Sequence, residues 1–504
     1  MTSTLLASVV GQSPALRNQC AADNPFAFDG SGASLAPAGV IHQKSTRERE
    51  QSFVRAYLDD VYLWYKEIPS VDAALPAYRQ EPYANGMGAY FNALLTQALL
   101  PDGQRKDRFS ILVPRSDWAV MAQADQSSGW GLLLMEAGTR AAPVLNVAYV
   151  DPGSPAAAQG VRRGDRILAM RMPNGEVVDL VTANADAISL LRRSFSQAQV
   201  PAGNALGLSL QSAHGGAVRQ VRLNSAAYAR QPVMESRTLP AAGGTGAVGY
   251  IAVKEFMLPT EAPMLEAMTE LKAAGVSDLV VDLRYNGGGT VYQAAQLAYM
   301  TAGAARTSGK VFQRFEFNDK QQGLENSLGE PLPFLDRSTG VPGSGTTAGE
   351  VLPDLGLRRV YVLTTRESCS ASESFINGLR GIGVEVVQIG ATTCGKPYAQ
   401  FAVENCGVVH LPVMAKGSND QGAGDFEAGM VPTCPVPDDL THELGDVQEA
   451  QLAAALHHRQ SGTCPAGSTP AAKALPHGQS ERTPTLWRHP LSSVGIVNPP
   501  ARLP

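Results

Sequence analysis

A serine-containing turn is one place in this chain where residue types and spacing suggest covalent chemistry. Ser370 and Ser372 lie in the run 367–373, soon after an apolar strand predicted over 360–363. A hydroxyl between a strand end and a helix start can simply cap the helix. The same place also suits a nucleophile, because helix N–H groups can stabilise a developing oxyanion. Taken alone, the run favours the capping role.

A serine nucleophile requires a base, and Lys396 is the better candidate. None of the eight histidines lies in a recognisable triad context, although His410 and His442 remain as alternatives. A lysine base must be neutral, so burial has to bring its pKa well below the ordinary value of about 10.4. Pro397 favours extended backbone at Lys396. In a strand Gln400 would then share its face and could orient the amine. Taken alone, a solvated surface lysine in a hairpin remains the default interpretation.

A third run of interest is Asp-Leu-Arg-Tyr-Asn-Gly-Gly-Gly at 282–289, which follows a strand that is apolar on both faces. Ligand sites in α/β sheets gather at the carboxyl ends of such strands. Three consecutive glycines free the backbone to present N–H groups at close range. A flexible turn without a ligand is the alternative, and the phosphate-binding glycine motifs are missing.

The elements that must position these runs indicate an α/β domain. A strand at 249–253, a helix through Met264 and Leu271, and the strand at 278–283 give a β–α–β order. The pattern resumes with the strand at 360–363. It continues through a helix at 370–380, a strand at 384–389 and a helix at 447–456. The polar segment 307–356 between the two halves is predicted to be an insertion or a lid.

The rest of the chain divides by composition and periodicity. We predict a leader or linker over 1–45, a small helical region over 46–120, and a small β-rich domain over 127–225. The α/β core is predicted over 246–458. Residues 465–504 are rich in Pro, Ser and Ala without periodicity, and we expect disorder there.

The small domain resembles a PDZ domain of the kind found in bacterial proteases. The resemblance rests on the loop Gly129-Trp130-Gly131-Leu132 and on the run SPAAAQGVRRGDRIL at 154–168. It implies that Gly129, Trp130, Gly131 and Leu132 bind a peptide, with loop N–H groups capturing a terminal carboxylate. The adjacent strand edge would then add the peptide as an extra strand.

The three runs together resemble the motifs of the C-terminal processing peptidases. Residues 282–289 are similar to that family's "DLRxNpGG" motif, 370–373 to its "SASE" motif, and 395–400 to its "GKxxxQ" motif. The resemblance implies Ser370 as nucleophile, Lys396 as general base and Gln400 as the residue that orients it. It implies an oxyanion hole formed by the backbone N–H groups of Ala371 and Gly288, with Gly289 as the near alternative.

The resemblance also implies a fold and an activity. The expected fold is an α/β catalytic core of the crotonase/ClpP-like ββα type. A PDZ-like domain is inserted in it or precedes it, and a small helical region lies N-terminal. The expected activity is a serine endopeptidase that uses a Ser/Lys dyad and recognises unstructured or C-terminal polypeptide segments. An inactive peptide-binding scaffold on the same fold is the alternative. The complete set of Ser370, Lys396 and Gln400 favours the enzyme.

Composition limits partners and compartment. A net charge of −5 gives no basic footprint for nucleic acid, and no apolar stretch is long enough for a membrane span. We expect polypeptide substrates, no cofactor and no metal, and a homo-oligomer is compatible with the sequence. The chain has six cysteines and no CxxC pair, which mildly favours disulfides. Together with the family resemblance, this predicts an extracytoplasmic location, either periplasmic or envelope-associated. Cys394 and Cys406 flank a predicted hairpin, and we hypothesise a disulfide between them.

Overall fold

The computed structural model describes residues 9–123, 126–139, 143–182, 185–195, 200–239, 246–321, 330–468, 484–487 and 495–496. These residues form an N-terminal region, a small β domain and an α/β core. Within the described ranges, no helix combines the length and the apolarity that crossing a bilayer requires.

The N-terminal region, residues 9–123, contains more helix than strand. Its elements are α1 (Ser13–Leu16), β1 (Gln19–Ala21), β2 (Gln43–Ser45), α2 (Arg47–Val61), 3-10 turns at Tyr65–Glu67 and Pro76–Tyr78, α3 (Tyr83–Leu94), β3 (Ile111–Pro114) and α4 (Arg115–Gln123). α2 begins after Thr46, whose hydroxyl accepts a hydrogen bond from the Arg49 N–H and caps the helix. Its apolar face, including Phe53 and Tyr57, is buried against the core.

Residues 9–45 differ from the leader or linker predicted over 1–45. β1 and β2 pair in parallel, and Cys20 and Ala21 are fully buried. A disulfide joins Cys20 to Cys406 of the core, 386 positions away along the chain. The Gly, Ala, Ser and Pro content of this segment misled the prediction, because one disulfide and a few buried residues anchor the segment to the fold.

The small β domain spans residues 126–229. Its elements are β4 (Gln126–Gly129), β5 (Leu132–Gly138), β6 (Pro143–Val150), α5 (Pro155–Ala158), β7 (Arg166–Arg171), β8 (Val177–Asp179), α6 (Ala185–Phe195), β9 (Ala205–Gln211), β10 (Arg219–Asn224) and β11 (Ala226–Ala229). The main sheet has the order β10-β9-β7-β6-β5, with β8 beside β7, and β4 pairs separately with β11. Alternating apolar residues of these strands bury one face against α6.

The α/β core follows. Its elements are β12 (Val233–Leu239), β13 (Val248–Val253), a 3-10 turn at Leu258–Thr260, α7 (Glu261–Ala273), β14 (Asp278–Asp282), β15 (Gly289–Thr290), α8 (Val291–Ala302), α9 (Ala304–Thr307), β16 (Val311–Phe317), β17 (Leu332–Pro333), β18 (Arg359–Thr364), α10 (Ala371–Gly381), β19 (Glu385–Gly390), β20 (Tyr398–Gln400), β21 (Val403–Asn405), β22 (Val408–Leu411), β23 (Val413–Ser418), β24 (Cys434–Pro435) and α11 (Ala450–Ser461).

The first core sheet has the strand order β12-β13-β14-β18-β19-β24. β12 is antiparallel to β13, and all later neighbours are parallel. Every residue of β13 and β14 is buried, as the apolar runs predict for central parallel strands. The carboxyl ends of β14 and β18 therefore meet at one edge, and the glycine loop and the serine turn leave the sheet there.

The segment 307–356, predicted to be an insertion or a lid, includes a strand that is packed into the core. Its strand β16 pairs with β23 in a second sheet, and Phe312, Phe315 and Phe317 are buried in the main core. Burial of these three large apolar side chains fixes the strand Val311–Phe317 in place, and the insertion or lid role of the rest of the segment stays a prediction. Residues 322–329 lie outside the described part of the chain.

A buried ionic network fastens the β domain to the core. Arg163, in the turn before β7, contacts Asp438 at 2.8 Å and also bonds the Tyr285 hydroxyl. Arg284 lies between Asp282 at 2.6 Å and Glu449 at 2.8 Å, and its guanidinium also contacts Asp438. The charged residues of the 282–289 run therefore hold the fold together.

Two further strands come from the part of the chain that we predicted to be disordered. β25 (Thr485–Trp487) extends the small β domain by pairing with β5. β26 (Gly495–Ile496) lies between β15 and β20, which gives the second core sheet the order β15-β26-β20-β23-β16-β17. The prediction over 465–504 is therefore corrected for these two described stretches. Local composition does not reveal pairing with strands hundreds of residues away.

Candidate active site

Ser370 sits in a constrained turn at the start of α10. Its φ of 56° and ψ of −111° are unusual for a residue with a side chain, and the residue is 3% exposed. Such a conformation costs energy and persists only where the surroundings fix it. Here the Ser374 N–H donates to the Ser370 carbonyl at 2.8 Å, and the Ser370 N–H donates to Glu373 at 2.9 Å.

Glu373 joins the serine turn to the lysine loop. Its carboxylate accepts hydrogen bonds from Thr393 Oγ1 at 2.5 Å, from the Gly395 N–H at 2.8 Å and from the Lys396 N–H at 2.8 Å. Glu373 Oε2 accepts hydrogen bonds from both the Lys396 N–H and the Ser370 N–H. The backbone nitrogens of Ser370 and Lys396 therefore lie close together. Burial raises the pKa of Glu373, and these four donors work in the opposite direction.

Lys396 is a buried amine that is hydrogen-bonded to Gln400. Its Nζ donates to Gln400 Oε1 at 2.6 Å, and the residue is 1% exposed. Burial lowers the pKa of Lys396 to about 7, although the carboxylates of Asp107 and Glu373 act in the other direction. A large fraction of the lysine is therefore neutral at neutral pH, as a general base must be.

The N-terminal region supplies part of this environment. Gln400 Nε2 donates to the Phe109 carbonyl at 2.8 Å and to the Leu411 carbonyl at 2.6 Å, which fixes its oxygen toward Lys396. Nζ of Lys396 lies 5.1 Å from the centre of the Phe109 ring. Arg108 donates to the Cys394 carbonyl at 2.8 Å. Sequence reasoning missed these residues, because no local motif marks them and almost 300 positions separate them from the lysine.

The glycine loop approaches the serine turn closely. A Cβ placed on Gly288, where φ is +112°, would lie 2.8 Å from the Ser370 Cβ and 3.2 Å from the Ala371 nitrogen. Only glycine allows this approach. The Gly288 N–H already donates to Asn286 Oδ1 at 2.8 Å. Gly288 and Ala371, the two residues predicted to form the oxyanion hole, are thus adjacent. The Gly288 N–H, however, is already hydrogen-bonded within its own loop.

The disulfides differ from the predicted Cys394–Cys406 pair. Cys394 is bonded to Cys369, the residue before Ser370, with 5.1 Å between their Cα atoms. Cys406 is bonded to Cys20, and Cys434 to Cys464. The hypothesis failed because Cys406, in the turn between β21 and β22, faces the N-terminal segment. The observed Cys369–Cys394 bond ties the serine turn directly to the lysine loop.

One group of residues has the composition of a metal site. Ligand atoms of Cys369, Glu373 and Cys394 lie within 4.8 Å of one another. Both sulfurs are in a disulfide, and the carboxylate accepts the bonds given above, so these atoms serve as a structural clamp. No other group of at least three such side chains comes together in the described ranges.

The two alternative histidines have other surroundings. His410 is buried, with its ring centre 5.5 Å from that of Phe53 and 6.1 Å from that of Tyr57. Burial lowers its pKa to about 4. His442 lies near the surface and pairs with Asp439 at 2.6 Å. Lys396 therefore remains the candidate base.

The predicted peptide-binding loop lies between β4 and β5. Gly131 has a φ of +79°, and a Cβ there would lie 2.1 Å from the Ser154 Cβ, so the turn requires glycine. Gly129 closes β4, and Leu132 opens β5. The Trp130 side chain is buried in the domain core, and its indole N–H donates to the Asn204 carbonyl at 3.0 Å. The Trp130 ring therefore packs in the interior of the β domain and anchors the loop there.

Comparison with known proteins identifies two matching domain families. Residues 247–434 match the peptidase family S41 domain, and residues 49–111 match the peptidase S41 N-terminal domain. A carboxyl-terminal-processing protease of Picosynechococcus sp. is 25% identical over 261 residues, which cover 52% of this chain and 53% of that protein. Carboxyl-terminal-processing peptidase 1, chloroplastic, of Arabidopsis thaliana is 29% identical over 193 residues, covering 38% of this chain and 37% of that protein. The chain thus spans about half or less of the length of these curated relatives.

A solved structure extends the likeness to the fold. The crystal structure of a putative S41 protease from Bacteroides fragilis superposes with a TM-score of 0.59 at 24% identity. The superposition covers 81% of this chain and 97% of that chain. The chain therefore contains the peptidase family S41 domain and the S41 N-terminal domain, and its fold is similar to that of this solved structure.

Proposed function

We propose that this protein is a serine endopeptidase that cleaves polypeptides through a Ser370/Lys396 acyl-enzyme mechanism. The observation that carries the proposal is the buried Lys396, whose pKa burial lowers to about 7 and whose amine is held by Gln400. A structural lysine has no need of an apolar site, which is costly for its charged form. A base has this need, because only the neutral amine can take a proton.

In the proposed mechanism, neutral Lys396 takes the Ser370 proton as the serine oxygen attacks a peptide carbonyl. The resulting ammonium returns that proton to the leaving amine, and water then hydrolyses the acyl-enzyme. Gln400 accepts a hydrogen bond from the amine and keeps it oriented through both steps. The Glu373 carboxylate and the Cys369–Cys394 disulfide hold the serine turn and the lysine loop next to each other.

The oxyanion is stabilised by the Ala371 N–H at the start of α10 and by the Gly288 N–H. The close approach of Gly288 to Ala371 supports this pairing. The Gly288 N–H must exchange its Asn286 partner for the substrate oxygen. Such catalytic hydrogen bonds often form only in the complex.

We further propose that the small β domain is a PDZ domain that recognises unstructured or C-terminal segments by adding them to β5. The glycine turn at Gly131 and the strand and helix order of the domain support this role. We also assign the core to the crotonase/ClpP-like ββα type, which the order of its strands and helices supports. Three disulfides in the described residues support an extracytoplasmic location, because thiols stay reduced in the cytosol.

The test compares cleavage of casein and of a tagged unstructured peptide by wild type, Ser370→Ala and Lys396→Ala. We expect cleavage by wild type and a loss of about a thousandfold or more in either variant, because the two residues act as a unit. Equal activity in all three proteins would refute the dyad. Absence of cleavage in all three, with peptide binding retained, would instead favour the inactive scaffold.

A further inference from the structure

Two short stretches in the last part of the chain occupy positions where a substrate peptide is expected to bind under the proposed function. We call residues 484–487 and 495–496 the distal segment. β25 pairs with β5 of the β domain, and β26 lies between β15 and β20 of the core. The distal segment therefore meets both the proposed recognition edge and the sheet that carries the proposed catalytic loops.

The first contact follows the geometry of peptide capture by strand addition. β25 is antiparallel to β5, with Thr485 opposite Glu136 and Trp487 opposite Leu134. The segment thus runs toward the loop at 129–132, in the direction of a peptide that approaches that loop with its carboxyl end.

Trp487 anchors this contact on the β domain. The residue is 3% exposed, and its indole N–H donates to Glu136 Oε2 at 3.0 Å. Its ring lies 5.9 Å from the ring of Phe195, at the end of α6. A buried tryptophan with a satisfied N–H is the kind of residue that dominates binding energy at an interface.

The neighbouring Leu486 faces the core. It is 8% exposed and belongs to the buried apolar cluster that contains Tyr285 and Leu363 of the core and Tyr149 of the β domain. Its backbone N–H donates to Glu367 Oε1 at 3.4 Å, three positions before Ser370. The two side chains therefore lie on opposite faces of β25, with Trp487 in the interior of the β domain and Leu486 between the β domain and the core.

The second contact lies at the proposed catalytic loops. Gly495 is paired with Gly289, and Ile496 is paired with both Thr290 and Gln400. β26 therefore occupies the strand position between β15, which follows the glycine loop, and β20, which contains Gln400. In the same arrangement the Gly288 N–H is bonded to Asn286 Oδ1, as a resting oxyanion loop would be.

We propose that the distal segment is an intramolecular ligand that occupies the peptide path and holds the protein in an inhibited state. The inference rests on the proposed function, since it names the occupant of that same site. A tethered segment competes at an effective concentration in the millimolar range, so a free polypeptide must displace it from both edges. Release of Trp487 opens the recognition edge and the seam together.

The test uses the full chain carrying Ser370→Ala, so that its readouts do not depend on turnover. Amide hydrogen exchange is measured over 132–138 and 398–400, with and without Trp487→Ala. We expect exchange in both stretches to accelerate about tenfold or more in the variant. Trp118→Ala removes another buried tryptophan, which is 7% exposed and lies on α4, and should leave exchange over 132–138 unchanged. Ile496→Pro disrupts β26 alone and should accelerate amide exchange over 398–400. This second variant provides the test if Trp487→Ala does not fold.

A second readout measures binding of a fluorescent synthetic peptide with the sequence of residues 484–496. We expect the peptide to bind the Trp487→Ala protein about tenfold or more tightly than the Ser370→Ala parent. Equal affinities together with equal exchange rates would overturn the proposal. Protection that rises with protein concentration would assign the segment to a second copy and overturn the intramolecular assignment.

Activity measurements separate this inference from the proposed function. With Ser370 intact, Trp487→Ala should cleave an unstructured peptide about tenfold or more faster than wild type. If exchange and binding respond as expected and neither protein cleaves any substrate, the inference stands and the peptidase proposal fails. If both proteins cleave equally fast and the binding readouts do not change, the peptidase proposal stands and the inference fails.

Discussion

Replacing Lys396 with methionine should abolish activity and stabilise the protein near neutral pH. Burial lowers the pKa of the native lysine from 10.5 to about 7. At pH 7 the unfolded chain is almost fully protonated there, which costs the native state about 4 kcal/mol relative to a lysine with an unperturbed pKa. Methionine removes this cost. It leaves Gln400 Oε1 without its donor, which costs about 1–3 kcal/mol. We expect a net gain of about 1–3 kcal/mol in the free energy of unfolding.

The sign of the pH dependence is the sharper test. Between pH 7 and 10.5 the unfolded state binds more protons at this site than the native state, so the stability of wild type rises with pH. From about pH 7 to about pH 9 the rise is about 2 kcal/mol. Well below pH 7 both states carry the proton, and the contribution is constant. The stability advantage of Lys396→Met should therefore shrink by about 2 kcal/mol across this interval.

Denaturant unfolding at a series of pH values measures this difference, and initial rates on a fluorogenic peptide measure activity. For wild type, kcat/KM should rise through about pH 7 and then level off as Lys396 becomes neutral. Lys416→Met is the matched control. Lys416 is partly exposed and pairs with Asp425 at 2.6 Å and Glu427 at 2.7 Å. That variant should keep the activity profile of wild type. A stability gap that does not change with pH, or retained activity in Lys396→Met, would refute the reasoning.

Three further changes test the supports of the dyad. Gln400→Leu removes the acceptor of the lysine amine, and we expect kcat to fall about 10- to 100-fold with KM little changed; an unchanged kcat in steady-state assays would contradict the orienting role. Gly288→Ala places a Cβ 2.8 Å from the Ser370 Cβ, so kcat/KM should fall about a hundredfold or more; wild-type kinetics would argue against that loop. Cys369→Ala with Cys394→Ala opens a loop of 25 residues, which should lower the free energy of unfolding by about 3.5 kcal/mol in denaturant titrations; no loss of stability would show that the disulfide constrains little.

Sequence patterns predict the core well because its elements are locally encoded. The apolar runs of β14 and β18 mark central parallel strands, and both are buried throughout or nearly so. The serine turn and the lysine loop are recognisable because their residue types and spacing are short-range properties. Lys396 contacts Gln400, as the expected common face of an extended chain indicates, although the strand itself begins only at Tyr398.

The failures have a common physical cause. By composition residues 9–45 look like a leader or linker and the distal segment looks disordered, yet each is fixed by partners far away in the chain. A disulfide to Cys406 holds the first, and pairing with β5 and β20 holds the second. The Cys394–Cys406 hypothesis assumed that nearby cysteines pair, and the fold brings Cys369 closer. Pairings between distant residues depend on the completed fold, which local patterns do not encode.

The basicity of Lys396 shows how strongly the site depends on such distant contacts. The Phe109 ring lies beside the amine, and its carbonyl accepts a hydrogen bond from the Gln400 amide, whose oxygen accepts one from Lys396. β3, which follows Phe109 closely, is bonded to β22 as part of a core sheet. Exposing this side of the site would hydrate Lys396 and return its pKa toward the ordinary value of about 10.4. At neutral pH the lysine would then be protonated and unable to accept the serine proton. The N-terminal region therefore contributes, through Phe109, to the burial on which the proposed chemistry depends, although it supplies no group that would react.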